Sequence, residues 1–260
     1  MANATVLYQR EDRVGIITFH RPERLNAINT ALLRDFMNCL DEARRDAGAV
    51  TVVLTGAGRA FCAGEDLKET GEGKTLETWI EETERVQDAE RAILRLGKPL
   101  IAAVPGYALG GGCEFAMACD IRIAAEDAEF GFPETGVGLT VTTAGTKLLT
   151  HLVGLGRAKE LVFTGEFVDA KTAERIGLVN RVVPKERLMD EALALAGKIG
   201  ERSPLSLKLS RIAMDQGLGS TLEQTLDLEA SHLLVCVQSR KYQAYVQKKL
   251  DEMTGARIGP

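Results

Sequence analysis

An almost wholly apolar stretch, residues 98–123, carries one carboxylate, Glu114, in its middle. Gly110, Gly111 and Gly112 stand shortly before this glutamate, and an apolar run follows it. The order predicts a strand that enters a glycine turn and then a buried helix, because glycine lets a backbone turn tightly and approach a ligand. The free N–H groups of a helix's first turn attract negative charge. Two interpretations of Glu114 follow, as a partner of the helix dipole or as a catalytic group.

Composition and charge narrow the class of protein. The 260 residues are 45% hydrophobic and 27% charged, which suits one large globular domain or a domain with a helical appendage. The net charge is −5, so we expect no nucleic acid partner. The five cysteines form no CxxC pair, which favours reduced thiols, and the apolar stretch is broken before it could span a bilayer. We expect a soluble cytoplasmic protein without a membrane segment.

Strand-like runs and helical periodicities along the chain predict an α/β protein. Strands are predicted at residues 6–10, 14–20, 50–55, 121–125, 130–131 and 178–183, with another beginning near residue 98. Helices are predicted at residues 30–48, with Thr30 as N-cap, and at 75–96, 146–152, 156–164, 169–176, 185–200, 204–216, 220–236 and 238–253. The strands near residues 50 and 98 should be parallel neighbours, whose glycine loops meet at one edge of the sheet. We predict a core domain at residues 1–200 and a helical region at residues 201–260.

Several ordered motifs carry a resemblance to a known family. They read FCAGEDL at residues 61–67, GYALGGGCE at 106–114, FGFPE at 130–134, TGE at 164–166 and AERIGLVN at 173–180. Over nearly the whole chain the sequence resembles the crotonase (enoyl-CoA hydratase/isomerase) superfamily. The resemblance implies a spiral of ββα units with a C-terminal helical trimerisation region, a homotrimer or dimer of trimers, and an acyl-CoA thioester as ligand.

The predicted chemistry needs two kinds of group. Thioester substrates react through an enolate-like anion, whose oxygen requires hydrogen-bond donors fixed in advance. The family pattern carries over to the backbone N–H groups of Glu65 and Gly111, although each loop on its own could be a tight turn. Glu114 and Glu134 resemble the two catalytic glutamates of hydratases, which take a proton from water and give one to Cα. The alternatives are a helix-start carboxylate for Glu114 and an exposed residue for Glu134.

The resemblance also names residues for the coenzyme A part of the ligand. These are Ala63, Lys68, Tyr245 and Lys248, the last two from a C-terminal segment that in the family often reaches a neighbouring subunit's ligand. Both lysines could instead be ordinary solvated residues. We expect no separate cofactor, because coenzyme A enters with the substrate. The three histidines lack a ligand spacing, so we expect no metal site.

Two departures from the family pattern bear on the substrate. Glu65 stands where many hydratases have a small residue, and residues 138–145 replace a loop that is commonly rich in proline and glycine. Both changes are expected to alter the acyl pocket, near which Leu76, Trp79 and Ile80 are predicted to lie unless they are ordinary core residues.

Five hypotheses about function are compared from the sequence. Hydration of a 2-enoyl-CoA is favoured because both glutamates are present. An enoyl-CoA isomerase would need chiefly one base, Glu134, and an acyl-CoA thioester hydrolase would use the same oxyanion loops. A noncatalytic scaffold that keeps only the fold is disfavoured by the two glutamates. The related ATP-dependent serine peptidases would need a serine paired with a histidine, and no such motif is present.

Overall fold

The computed structural model describes residues 4–70, 73–239 and 241–255. The chain divides into two compact units, Met1–Gly200 and Glu201–Pro260. In the described residues the strands are β1 (Val6–Glu11), β2 (Val14–Phe19), β3 (Thr51–Gly56), β4 (Ala60–Cys62), β5 (Leu100–Val104), β6 (Tyr107–Leu109), β7 (Ile121–Ala125), β8 (Glu129–Gly131), β9 (Val168–Asp169) and β10 (Arg181–Val183). The helices of the first unit are α1 (Thr30–Arg45), α2 (Leu67–Thr70), α3 (Leu76–Leu94), α4 (Gly111–Ala118), α5 (Gly145–Val153), α6 (Leu155–Thr164), α7 (Ala170–Arg175) and α8 (Leu188–Gly200).

A six-stranded sheet forms the centre of the first unit, in the order β1-β2-β3-β5-β7-β10. The opening hairpin β1-β2 is antiparallel, and the remaining pairs are parallel. Both faces of this sheet are covered by side chains. In strand β3, for example, Val52 and Leu54 pack into one hydrophobic cluster, and Val53, between them, packs into the other on the opposite face. Helix α8 covers the Val53 side, whereas α1, α3 and α4 contribute to the opposite cluster. The predicted parallel neighbours, β3 and β5, are confirmed.

A smaller sheet, in the order β4-β6-β8-β9, accompanies the large one. Strands β4, β6 and β8 are parallel, and each follows a strand of the large sheet along the chain. The successions β3-β4-α3, with the short α2 before α3, β5-β6-α4 and β7-β8-α5 are the repeated ββα units of the predicted spiral. Because the three short strands run in the same direction, the segments that follow them emerge at one common edge.

Several element boundaries differ from the prediction. Asn29, rather than Thr30, is the N-cap of α1, since its side chain accepts a hydrogen bond of 2.9 Å from the N–H of Leu32. The helix ends at Arg45, three residues before Gly48. Strand β10 is shorter than predicted because the N–H groups of Leu178 and Val179 donate to the carbonyl of Ala173 in α7 instead of to a neighbouring strand.

The second unit contains α9 (Pro204–Gly217), α10 (Leu222–Gln238) and α11 (Tyr242–Gly255). Helix α10 begins with a capping box, in which Thr221 and Gln224 exchange side-chain-to-backbone hydrogen bonds. Among its described residues none is buried, and several large apolar side chains are exposed. Over the described parts of the chain, no helix combines the length and the apolar composition needed to cross a membrane.

Candidate active site

A cleft of about 360 Å³ lies in the first unit, at the edge where the short parallel strands end. Strand β4 leads into Ala63–Glu65, β6 leads into Gly110 and Gly111, and β8 leads through Phe132 into Pro133 and Glu134. These three segments line the cleft together with Glu114, which follows Gly111 on α4. The structure therefore brings together Glu65, Gly111, Glu114 and Glu134, the four residues predicted to act in catalysis.

Two glycines allow the loops after β4 and β6 to touch through their backbones. Gly64 has φ of +85°, and a Cβ at this position would lie 2.8 Å from the carbonyl oxygen of Leu109. A Cβ at Gly112 would overlap the carbonyl oxygen of Cys62. Because glycine has no side chain at these two positions, the segments that carry Glu65 and Gly111 can pack directly against one another.

The orientation of the two predicted amide donors follows from their local structure. Gly111 is the first residue of α4, so the hydrogen-bond ladder of the helix does not use its N–H. Ile28 donates to the carbonyl of Gly64 at 2.7 Å and accepts from the N–H of Asp66 at 2.9 Å. Backbone polar groups alternate in direction along an extended segment, so the N–H of the intervening Glu65 points away from Ile28.

Glu114 is almost fully buried, with 1% of its surface exposed. Its Oε1 accepts hydrogen bonds from the N–H groups of Thr143 at 2.8 Å and Gly145 at 3.0 Å. Between these donors Ala144 adopts a left-handed conformation with φ of 63°, which turns both amides toward the same oxygen. A Cβ at Gly145 would lie 2.6 Å from that oxygen. The loop at residues 143–145 therefore fixes the carboxyl group where it lines the cleft.

Glu134 lies in a short 3-10 helix, Pro133–Val137, and is half-buried. The pKa of its carboxyl group is raised to about 7, mainly by burial and also by the charge of Glu114, while a hydrogen bond from its own backbone N–H opposes the rise. A Cβ at Gly110 would lie 2.7 Å from Oε1 of Glu134, so this glycine gives the carboxyl group room. At neutral pH, Glu134 is therefore present in both protonated and ionised forms, as a residue that transfers protons requires.

Asp66 anchors the loop that carries Glu65. It is buried and forms ion pairs with Arg21 and Arg24, each at 3.1 Å. Burial would raise the pKa of Asp66, but the hydrogen bond from Arg21 and the neighbouring positive charges lower it overall. Asp66 also accepts from the N–H of Lys68, whose side chain is exposed on α2 and lies outside the cleft lining.

One wall of the cleft comes from α3. Trp79 lines it as predicted, whereas Leu76 and Ile80 are exposed and lie outside the lining, so the prediction is wrong for these two. Thr83 and Val86 extend the same helical stripe, and their spacing from Trp79 was a signal available in the sequence.

Thr140 and Thr142, from the unusual loop at residues 138–145, also line the cleft. The ammonium of Lys74 lies 5.3 Å from the ring of Trp79 and pairs with Glu82 at 2.6 Å.

The remaining predicted ligand contacts have different settings. Ala63 lines the cleft. Tyr245 and Lys248 lie on α11 in the second unit, and their role at a ligand stays a prediction.

All five cysteines are free thiols, four of them buried. In the parts of the chain that the structure describes, no group of three His, Cys, Asp or Glu residues could hold a metal ion.

This geometry defines a class of site, a cleft lined by the backbone segments at Glu65 and Gly111 and by two carboxyl groups. The sequence profile of the family described as enoyl-CoA hydratase/isomerase matches residues 9–253. A short-chain-enoyl-CoA hydratase from Clostridium acetobutylicum is 39% identical over 253 residues, which are 94% of this chain and 95% of that protein. A crotonyl-CoA hydratase from Syntrophomonas wolfei is 35% identical over 96% of this chain and 97% of its own length.

Solved structures agree with the sequence comparison. The crystal structure of an enoyl-CoA hydratase from Bacillus anthracis has a TM-score of 0.92 and 34% identity, and the match covers 95% of this chain and 96% of that one. The chain therefore belongs to the enoyl-CoA hydratase/isomerase family. The predicted family and the predicted α/β spiral fold are both confirmed.

Proposed function

We propose that the protein is an enoyl-CoA hydratase, which reversibly adds water across the double bond of a 2-enoyl-CoA thioester. The observation that carries this proposal is the presence of two carboxyl groups, Glu114 and Glu134, in one cleft with the Glu65 and Gly111 segments. Water addition needs a group that takes a proton and a group that gives one, and two carboxyls in different environments divide this work. The names of the relatives support the same reaction.

In the proposed mechanism, the backbone N–H groups of Glu65 and Gly111 bind the thioester oxygen. When the water oxygen adds to Cβ, the π electrons of the double bond move toward the thioester and leave negative charge on its oxygen. Donors already in place stabilise that charge without reorganisation, and removing one such donor typically costs about 10²–10³ in rate. Because backbone groups supply both bonds, side-chain substitutions at the carboxylates leave them intact.

Glu114 and Glu134 perform the two proton transfers. Glu114 accepts a proton from the attacking water while the C–O bond to Cβ forms. Glu134 donates a proton to Cα, and the raised pKa of this residue, about 7, supplies a protonated fraction near neutral pH. The product is a 3-hydroxyacyl-CoA, and return of the accepted proton from Glu114 to Glu134 or solvent completes the cycle. The reaction balances with water and substrate alone.

The ligand is an acyl-CoA, and its coenzyme A part is proposed to contact Ala63 and Lys68, with Tyr245 and Lys248 from a neighbouring subunit. This assignment assumes a homotrimer or a dimer of trimers. It is supported by the exposed apolar residues of α10, which on a soluble monomer would form an unusual surface. These residues are Leu222, Leu226, Leu233, Leu234, Val235 and Val237. Light scattering should give three or six times the chain mass of 28.1 kDa; a monomer at micromolar concentration would contradict the assembly and the proposed reach of Lys248.

The reaction is tested by incubating the wild-type protein with a panel of acyl-CoA thioesters, beginning with short 2-enoyl-CoAs, and identifying the products by mass. Hydration adds the mass of one water to the substrate. Double-bond migration leaves the mass unchanged, and thioester hydrolysis releases free coenzyme A. A product without added water from every 2-enoyl-CoA tested would replace the proposed hydratase by one of these alternatives.

A further inference from the structure

A third carboxyl group, Glu90, is buried behind the cleft on α3, and the proposed mechanism does not use it. Its exposed fraction is 3%, and neither carboxyl oxygen has a hydrogen-bond partner among the described residues. Buried carboxyl groups are almost always paired or hydrogen-bonded, since an unmet polar group in the interior is costly. Glu90 therefore calls for a partner that the described residues do not supply.

Glu90 lies close enough to Glu114 for the charge of one to affect the other. Helix α3 belongs to the same hydrophobic cluster as α4, which carries Glu114. Burial and, to a smaller extent, the negative charge of Glu114 together raise the pKa of Glu90 to about 9, and the effect of the Glu114 charge requires proximity. At neutral pH, Glu90 is therefore protonated and has one O–H to donate.

The loop at residues 142–145 brings a second unpartnered group to the same place. The side-chain amide of Gln87, one helical turn before Glu90, donates to the carbonyl of Thr142 at 3.1 Å and ties this loop to α3. The next residue, Thr143, gives its backbone N–H to Glu114, while its hydroxyl is buried without a partner in the described structure. Two polar side chains near Glu114, Glu90 and Thr143, are thus without a hydrogen-bond partner among the described residues.

We propose that Glu90 and the Thr143 hydroxyl hold a buried water molecule against Glu114, and that Glu90 is a positioning residue for this carboxylate. The inference rests on the proposed function for its catalytic consequence. The water accepts the O–H of protonated Glu90 and donates its two hydrogens to Thr143 Oγ1 and to the Glu114 carboxylate. Three polar partners are what a buried water typically has. Together with the Thr143 and Gly145 amides, this water fixes Glu114 while it accepts a proton.

Two pairs of variants separate this role from a purely structural one. Glu90→Leu and Thr143→Val remove the groups that hold the water, whereas Glu90→Gln and Thr143→Ser keep a neutral polar group at each position. Glu90→Leu and Thr143→Val should each lower kcat by about tenfold and leave KM nearly unchanged, because each removes about one hydrogen bond to a charged group. The second pair should retain most of the wild-type kcat. The double variant Glu90→Leu/Thr143→Val should be little slower than either single variant, because both remove the same water.

Thermal unfolding of every variant shows whether a lost rate reflects a lost fold, and Glu84→Gln, an exposed position on the same helix, is the matched control. A folded Glu90→Leu protein with wild-type kcat, or a double variant whose losses multiply, overturns the proposal.

A high-resolution crystal structure of the wild-type protein gives a readout independent of activity. A water within about 3 Å of both Glu90 and Thr143 Oγ1 supports the site. If no water lies between Glu90 and Thr143 Oγ1, the proposed water site is wrong, whatever reaction the enzyme catalyses. If the water is present but no 2-enoyl-CoA is hydrated, only the proposed function is wrong.

Discussion

Replacement of Glu90 by Gln should stabilise the protein, and the gain should grow with pH. The substitution keeps the shape of the side chain and removes its ability to ionise. In the folded protein, burial and the charge of Glu114 raise the pKa of Glu90 from 4.5 to about 9. The unfolded chain therefore releases this proton near pH 4.5, whereas the folded protein keeps it until about pH 9. Rising pH favours unfolding over that interval.

The size of the effect follows from the width of that interval. One pKa unit corresponds to about 1.4 kcal/mol, so the wild-type protein should lose about 3 kcal/mol between pH 4.5 and 7 through this residue alone. Below pH 4.5 both states are protonated and Glu90→Gln should match the wild type. At pH 7 the variant should be the more stable protein by roughly that amount, and by more at pH 9.

Denaturant unfolding followed by circular dichroism, at one fixed protein concentration and at several pH values, measures this difference. Glu84→Gln provides the control, because Glu84 is exposed on the same helix and its replacement should cause no pH-dependent gain. A Glu90→Gln stability that follows the wild type at every pH would refute the reasoning, since it would mean that Glu90 is ionised or solvated in the folded protein.

Three further predictions concern the loops and the ligand. Ala144→Gly should raise the stability by about 1 kcal/mol, measured as a higher denaturant midpoint, because alanine is strained at φ of 63°; an unchanged or lower midpoint would contradict this. Gly145→Ala should reduce hydration at least about 10²-fold in steady-state assays, since its Cβ would lie 2.6 Å from Oε1 of Glu114 and displace that base; wild-type kcat would contradict the assigned contact. Lys68→Ala and Lys248→Ala should weaken acyl-CoA binding in calorimetry, with a smaller loss at high salt and little change in kcat; unaltered affinity in both would leave them as surface residues.

The sequence located the site because its motifs follow directly from local backbone needs. Glycines at residues 110–112 predicted the turn before α4, and the four residues Glu65, Gly111, Glu114 and Glu134 do line one cleft. The short strands that carry these residues were partly missed. β4 and β6 have three residues each, too few for a period to be read, and their pairing is set by contacts between distant parts of the chain.

The surroundings of Glu114 could not be predicted, for the same reason. Its two amide donors, Thr143 and Gly145, are 29 and 31 residues away, and backbone N–H groups leave no mark in a sequence. Glu90 stands in a helix that carries many charged residues, so it resembles another solvated side chain until packing of the fold buries it. The one-residue error at the N-cap of α1, Asn29 instead of Thr30, has a simpler cause. Both residue types cap helices well, so a sequence does not distinguish between adjacent positions.

The assignment of separate roles to Glu114 and Glu134 is tested most directly by following water addition and Cα proton exchange in the same variants. In deuterated water, Glu114→Gln should lose about 10²–10⁴ in the rate of hydration of a 2-enoyl-CoA, yet still exchange the Cα proton of a saturated acyl-CoA. Glu134→Gln should lose both activities, and both variants should bind acyl-CoA because the backbone donors remain. If both variants kept wild-type rates of hydration and exchange, the two carboxylates would not be the proton-transfer groups, and Glu114 would be a helix-start carboxylate without a role in the reaction.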